Sequence, residues 1–362
     1  TLTGNDGDVD SATQATLTID VTAVNDAPIA IDTTVSASED TAYVFTPADF
    51  GFSDIDSADV LEGITVTTLS SVGTLALNET TVTAGQTISH DDIFNGGLTF
   101  TPLADDNGVG YDSFTFTVND GDVDSDNQAT LTIDVAAAND APTAIDTTVS
   151  ASEDTPYVFT PSDFGFSDID ENDVLEGITV TRLSSVGTLA LNETTVTAGQ
   201  TISHDDIFNG GLTFTPLADD NGVFYDSFNF TVNDGIADSL VPSTLTIDVT
   251  AANDAPTAID TTVSASEDIP YVFTPEDFSF SDVDADVLEG ITVTTLSEIG
   301  TLSLNDTTVT AGQTISHDDI FNGGLIFTPL ADDNGVGYDS FTFTVNDGDV
   351  DSANQATLTI DV

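Results

Sequence analysis

The chain contains no cysteine, no methionine and no tryptophan, and its one basic residue is Arg182. Without cysteine there are no disulfides and no thiolate metal sites. That fits an extracellular protein held together by other means and leaves a cytosolic one open. Without lysine, and with a single arginine, the chain cannot neutralise phosphates, so nucleic acid and anionic membranes are excluded as partners. No run approaches the roughly 18 apolar residues of a membrane span. No signal peptide opens the chain. It begins mid-motif, which leads us to expect a piece of a longer protein. The missing tryptophan also argues against an exposed aromatic platform of the kind that grips polysaccharides.

What is present in excess is acid. Aspartate and glutamate number 64, for a formal net charge of −63, yet 39% of residues are hydrophobic. Disordered acidic chains usually lack that much apolar material, so a folded protein is expected. Its compact state should repel itself unless counterions bind. Screening acts over roughly 8 Å at physiological salt, so clustered carboxylates still feel one another. Mobile cations are the obvious partners.

The second excess is repetition. Asn25, Asn139 and Asn253 recur at an interval of 114, each opening an Asn-Asp-Ala-Pro tetrad. His90 and His204 keep that interval, whereas His317 follows after 113, because "SDIDENDV" (167–174) shrinks to "SDVDADV" (281–287). Residues 69–109 and 183–223 are identical. A unit of this length is an ordinary domain and too long for a solenoid turn. The expected organisation is the tail of a preceding repeat (1–24) and three repeats, 25–138, 139–252 and 253–362, in the manner of beads on a string.

Within a repeat, "LTFTP" (98–102), "FTFTV" (114–118) and "TLTIDV" (130–135) alternate apolar residues with threonine, the period of a strand with one buried face. The spacing predicts strands A to G near 29–37, 42–47, 62–69, 73–77, 97–102, 111–119 and 128–135. Tyr43, Phe45, Phe100, Phe114, Phe116 and Ile133 are the expected core. Seven short strands punctuated by Gly, Pro and Asp turns indicate an all-β protein of tandem immunoglobulin-like β-sandwiches. Strand lengths predict an extended rod on the order of 120–140 Å. One exception is "SHDDIF" (89–94), where Ser89 and Asp92 have capping-box spacing for a single helical turn. His90, His204 and His317 sit in that turn with a capping or packing role, since no catalytic constellation surrounds them. Arg182 is read as a solvent-facing strand residue. Acids that repeat in every domain do not suit a glycosidase pair, and no enzyme is expected.

Immunoglobulin topology sorts the acids. At one end of the first repeat it gathers Glu39, Asp40, Asp105, Asp106 and Asp112. The facing end of the second holds Asp168, Asp170 and Asp234, with Asn139 and Asp140 in the linker between. The same logic places Glu153, Asp154, Asp219, Asp220 and Asp226 beside Asn253, Asp254, Asp282, Asp284 and Asp347. Asn25, Asp26, Asp54, Asp56 and Asp120 form the corresponding set at the start of the first repeat. Such all-oxygen sets suit Ca²⁺, which takes six to eight oxygens, better than Mg²⁺, which keeps its waters. Zinc and copper are disfavoured by the lack of cysteine and by one histidine per repeat. Pro142 already stiffens the linker. "DGDVD" (120–124) lacks a complete EF-hand pattern, and its middle acid is lost in "DGIAD" (234–238).

The pattern running from the paired aspartates through "DNGVGYDSFTFTVNDG" (106–121) to "TLTIDV" and "NDAP" resembles the bacterial cadherin-like repeats of giant secreted adhesins, over nearly the whole chain. "VTAGQTISHDDIFNGGLTFTP" (82–102) is similar to the proteoglycan-type branch of that group. The resemblance implies a sandwich fold, Ca²⁺ at domain junctions, secretion, and an extender role in adhesion or biofilm. Here "AAANDAP" (136–142) lacks the leading aspartate of true cadherin linkers. Expected partners are therefore calcium ions and neighbouring repeats. Surface glycans and other adhesin or filament subunits go with two rival readings, a Ca²⁺-dependent polysaccharide-binding module and a structural subunit of an extracellular fibre or sheath.

Overall fold

The structure is a computed structural model, which describes residues 1–22, 24–170 and 172–362. It divides into two compact units, residues 1–140 with 169–172, and residues 141–168 with 173–362. The first repeat shows the plan. Strands β1 (Ile29–Ile31), β2 (Thr33–Ser38), β3 (Tyr43–Val44), β4 (Gly51–Ser53), β5 (Gly63–Thr68), β6 (Thr74–Leu77), β7 (Thr80–Thr81) and β8 (Gln86–Ser89) precede helix α1 (His90–Phe94). Strands β9 (Leu98–Thr101), β10 (Gly108–Asn119) and β11 (Ala129–Ala136) follow it. One sheet has the order β2-β11-β10-β5-β8, the other β3-β9-β6-β7, and β1 pairs with β4 alone. Strand β2 runs parallel to β11 (Thr33 opposite Leu131), while its neighbours are antiparallel.

The alternation seen in the sequence becomes the core. Phe114, Phe116, Leu131, Ile133, Phe100 and Phe45 are all buried, and Tyr43 packs half-buried on their edge. Phe45 meets Phe114 edge-on at 5.8 Å between ring centroids, and Phe50 meets Phe116 at 5.2 Å. These are the offset geometries that aromatic quadrupoles favour. The same cores recur in the later repeats around Phe159, Phe228 and Phe230, and around Phe273, Phe341 and Phe343.

Three departures from the expected strands have local causes. Strand A divides at Asp32, whose carboxylate accepts from Thr130 N at 2.7 Å. Strand B ends after two residues because Pro47 opens a 3₁₀ turn capped by Thr46 and Asp49. Strand β8 was not expected, since Ile88 is the only apolar residue among Gln86–Ser89. Its pairing with β5 places it, Gly63 opposite Ser89, just after Gly85 at φ 81° donates its N–H to Val66 O at 2.7 Å. A separate two-residue hairpin, with Asn78 and Glu79 at φ 47° and 65°, joins β6 to β7. Residues 1–22 are exposed and carry isolated antiparallel bridges, Leu2 to Ala15 and Asn5 to Asp10. The second has the same spacing as the bridge from Asn119 to Asp124 at the tip of β10. Among the described residues no helix is long and apolar enough to cross a membrane.

Candidate metal centre

The Asn-Asp-Ala-Pro tetrad acts as a three-way clasp. At the last linker Asn253 Nδ2 donates to Asp347 Oδ2 at 3.1 Å, which ties the linker to the turn after the third repeat's longest strand. Asp254 N donates to Asp284 Oδ2 at 2.7 Å, in the loop that carries the paired aspartates. The Asp254 carboxylate then faces the opposite way, toward Asp154 and Asp219 of the second repeat. One oxygen of each of these three lies within 4.8 Å of the others. Pro256 is buried beneath. Just upstream, Ala252 N donates to Glu153 Oε1 at 2.7 Å, and Asn221 Nδ2 holds the other oxygen of Glu153 at 2.9 Å.

The other unit repeats the pattern. Asp40, Asp105 and Asp140 converge within 4.8 Å, Asp140 N donates to Asp170 Oδ2 at 2.9 Å, and Ala138 N donates to Glu39. At the first tetrad Asn25 Nδ2 donates to Asp120 Oδ2 at 3.0 Å and Asp26 N to Asp56 Oδ2 at 2.8 Å. Asp40, Asp105, Asp154 and Asp219 all have φ between 55° and 60°. Aspartate tolerates that left-handed conformation better than most residues, and it sets their carboxylates at the loop tips. Glu267, the counterpart of Glu39 and Glu153, is exposed, whereas those two are each 1% exposed.

A second kind of cluster lies on the loop with the paired aspartates. Asp54, Asp59 and Asp120 converge, as do Asp168, Asp173 and Asp234, and Asp282, Asp284 and Asp286. Sequence reasoning missed Asp59, Asp173 and Asp286. Their signal was a third acid in "SDIDSAD", "SDIDEND" and "SDVDAD", hidden because its distance from the pair changes. The shortened third loop keeps its acid in place by turning Ala285 to φ 62°.

These groups sit in an environment that disfavours bare charge. Burial, together with the charges of Asp40, Asp105, Asp170 and Glu39, pushes the Asp140 carboxyl above its ordinary range. Burial and Asp154, Asp219, Asp284 and Glu153 do the same to Asp254, and burial with Asp54, Asp56, Asp120 and Asp122 to Asp59. Oδ2 of Asp54, Asp140, Asp254 and Asp282 is shut off from solvent without a hydrogen-bond partner. A buried carboxylate oxygen with only other carboxylates for company is costly. The donor set is all oxygen, so these residues fit a hard divalent cation.

Other expected ligands are placed elsewhere. Asp112 is 5% exposed on β10. Its oxygens accept from Ser71 N, Val72 N, Gly73 N and Ser113 N at 2.8–3.0 Å. Asp226 does the same for Ser185 N, Val186 N and Gly187 N. Both carboxylates close a turn and stand apart from the clusters. Asp106 accepts from the Tyr111 hydroxyl at 3.2 Å, and Asp220 bonds the Tyr225 hydroxyl. Each histidine stacks on the phenylalanine four residues on, His90 on Phe94 at 5.8 Å, which is the packing role expected of it. Among the described residues the Arg182 guanidinium donates to Asn229 Oδ1, at 3.5 Å.

Comparison with known proteins agrees with this architecture. The family described as "Bacterial Ig domain" matches residues 25–134 and 253–361, and that described as "Cadherin-like domain" matches residues 138–250. No curated protein matches the chain. Among solved structures, extracellular cadherin domains 1–4 of protocadherin gamma B7 share 15% identity at a TM-score of 0.44, over 92% of this chain and 76% of that one. Mouse protocadherin-24 EC1-3 shares 13% at 0.43, over 96% and 100%. An endo-fucoidan hydrolase of glycoside hydrolase family 107 shares 20% at 0.22, and the chain spans 44% of its length. The two family matches account for the three successive sandwiches, and the chain belongs to the bacterial Ig domain family, with a cadherin-like domain between two bacterial Ig domains.

Proposed function

We propose that this chain is an extender segment of a large extracellular bacterial adhesin or surface filament, braced by Ca²⁺ at its linkers and mechanical rather than catalytic in role. The observation that carries the reading is the solvent-inaccessible, unpartnered Oδ2 of Asp254, set among Asp154 and Asp219 in a chain with no lysine. A cation there would tie the loop tips of one repeat to the linker of the next. Its ligands would be Asp154, Asp219 and Asp254, with Glu153 and Asp284 alongside. Asp40, Asp105 and Asp140 would act likewise with Glu39 and Asp170, and Asp54, Asp59 and Asp120, with Asp282, Asp284 and Asp286, would hold further ions. The functional units are the repeats 25–138, 139–252 and 253–362. Ca²⁺ supplies charge neutralisation and a rigid cross-link, and extracellular modules hold it at roughly 10⁻⁴–10⁻³ M. Such a segment would project a distal binding module in adhesion or biofilm formation. Small-angle scattering tests it: the maximum dimension should increase, and its spread narrow, on going from chelator to millimolar Ca²⁺. Identical curves in the two conditions would overturn the reading.

A further inference from the structure

Most large aromatic side chains among the described residues are buried or half-buried. Apart from Phe224, which is 80% exposed in the second repeat alone, one exposed phenylalanine recurs in every repeat. Phe94, Phe208 and Phe321 are 70%, 70% and 71% exposed. The five-residue helical turn that carries them can bury only one apolar side chain, and Ile93, Ile207 and Ile320 take that place. Each exposed ring lies nearly parallel to the preceding histidine ring, at 14° and 5.8–5.9 Å between centroids. In the second and third repeats the same histidine also forms the wall of a groove. In the second, His204 shares it with Phe164, Phe166, Val174, Leu175 and Glu176, around a volume of about 540 Å³. In the third, His317 closes the equivalent groove of about 650 Å³ beside Phe278, Phe280 and Glu289. The expectation that no aromatic platform would be exposed is thus wrong for this turn.

From these features we infer that the His-Phe platform and its groove form a subsite for a neutral polysaccharide, present in the second and third repeats. The volume falls within the range of small-ligand clefts. A flat exposed ring offers a π face to the C–H face of a sugar ring. The rim groups are acceptors: Asp205, whose side chain is 91% exposed beside His204, and Glu176 in the groove wall. Acceptors without accompanying cations suit hydroxyl donors and repel uronic or sulfated glycans, as does the net charge of −63. A basic protein would be drawn to any of the 64 acids alike and would need neither the ring nor the groove.

Affinity electrophoresis of the full chain in Ca²⁺ provides the test, with gels containing β-glucan, galactomannan or xylan, and alginate as the anionic control. Wild type should be retarded by at least one neutral glycan, equally at low and high salt, and not by alginate. The triple variant Phe94→Ala/Phe208→Ala/Phe321→Ala should bind about tenfold more weakly, and Phe94→Trp/Phe208→Trp/Phe321→Trp at least as tightly as wild type. Because the rings are exposed, all three proteins should unfold at the same temperature. No retardation by any neutral glycan, retardation unchanged in the alanine variant, or binding seen only with a basic polypeptide and abolished by salt would each overturn the subsite. None of these outcomes bears on Ca²⁺ at the linkers.

Discussion

Replacing Asp112 by alanine separates two roles that the sequence leaves superimposed. As a metal ligand, Asp112 would matter only in Ca²⁺. In its observed place it satisfies the backbone N–H groups of Ser71, Val72, Gly73 and Ser113. Removing the carboxylate of this 5%-exposed residue leaves three turn donors without a partner. Each stranded donor costs about 1–3 kcal/mol, and water entering the gap recovers part of it, so a loss of about 3–5 kcal/mol is expected. That is a large share of the roughly 5–15 kcal/mol available to a domain of this size. Urea unfolding with hydrogen exchange resolved by peptide should show the loss in the first repeat, equal in Ca²⁺ and in chelator. A loss present only in Ca²⁺ would refute the structural role. The wild-type pH profile adds a check. Burial raises the Asp112 pKa, but the bonds from Ser71, Val72, Ser113 and Gly73 outweigh it and hold the carboxyl below its ordinary 3.8. A depressed folded pKa gives stability that is present above 3.8 and fades as pH falls through the folded value. The alanine variant should lack that acid-side loss.

Two further outcomes follow from strain and from like charge. Phe224 stands at φ 54°, 80% exposed, where the sister repeats have Gly110 and Gly337 at φ 63° and 62°. Phe224→Gly should therefore stabilise the second repeat by up to about 1 kcal/mol in chemical denaturation, and a loss would mean that the ring makes a contact in solution. In chelator, the raised pKa of Asp140 and Asp254 means the folded state holds their protons more tightly than the unfolded chain does. That contribution is complete below 3.8 and is lost as pH rises through the folded values, so in chelator the wild-type chain should gain stability relative to Asp254→Asn as the pH is lowered through those values toward 3.8. A flat profile would show that the acids at the linkers do not repel.

The sandwich was legible because its signals are local and periodic. Alternation of threonine with Phe, Leu, Ile and Val marked β9, β10 and β11, and the 114-residue interval marked the repeats. Strand β8 was hidden because one isoleucine among polar residues has no period, and only its pairing with β5, opened by the bond from Gly85 N to Val66 O, reveals it. Convergence at the linkers was legible from topology, and Asp40, Asp105 and Asp140 do meet. Asp112 looked like one of them because its place at the strand end is right, but its side chain turns to the neighbouring turn, a direction no spacing encodes. Asp59 and Asp286 were invisible for the converse reason: a loop can change length and still return a carboxylate to the same point. Phe94 follows Ile93 in an otherwise polar turn, and the shortness of the helix lets only Ile93 be buried.

Calorimetric Ca²⁺ titration of the wild-type chain and of Asp254→Asn, at physiological salt and neutral pH, tests the bracing of the linkers most directly. Asp254 contributes its amide to one repeat and its carboxylate to the other cluster. Asparagine keeps the amide and most of the shape while removing the charge. Wild type should show saturable binding in the range of roughly 10⁻⁴–10⁻³ M or tighter. The variant should lose the sites of that one linker and keep the cluster of Asp40, Asp105 and Asp140. Heat signals with the same stoichiometry and affinity in both proteins, or no saturable binding in either, would contradict a cation seated at Asp254.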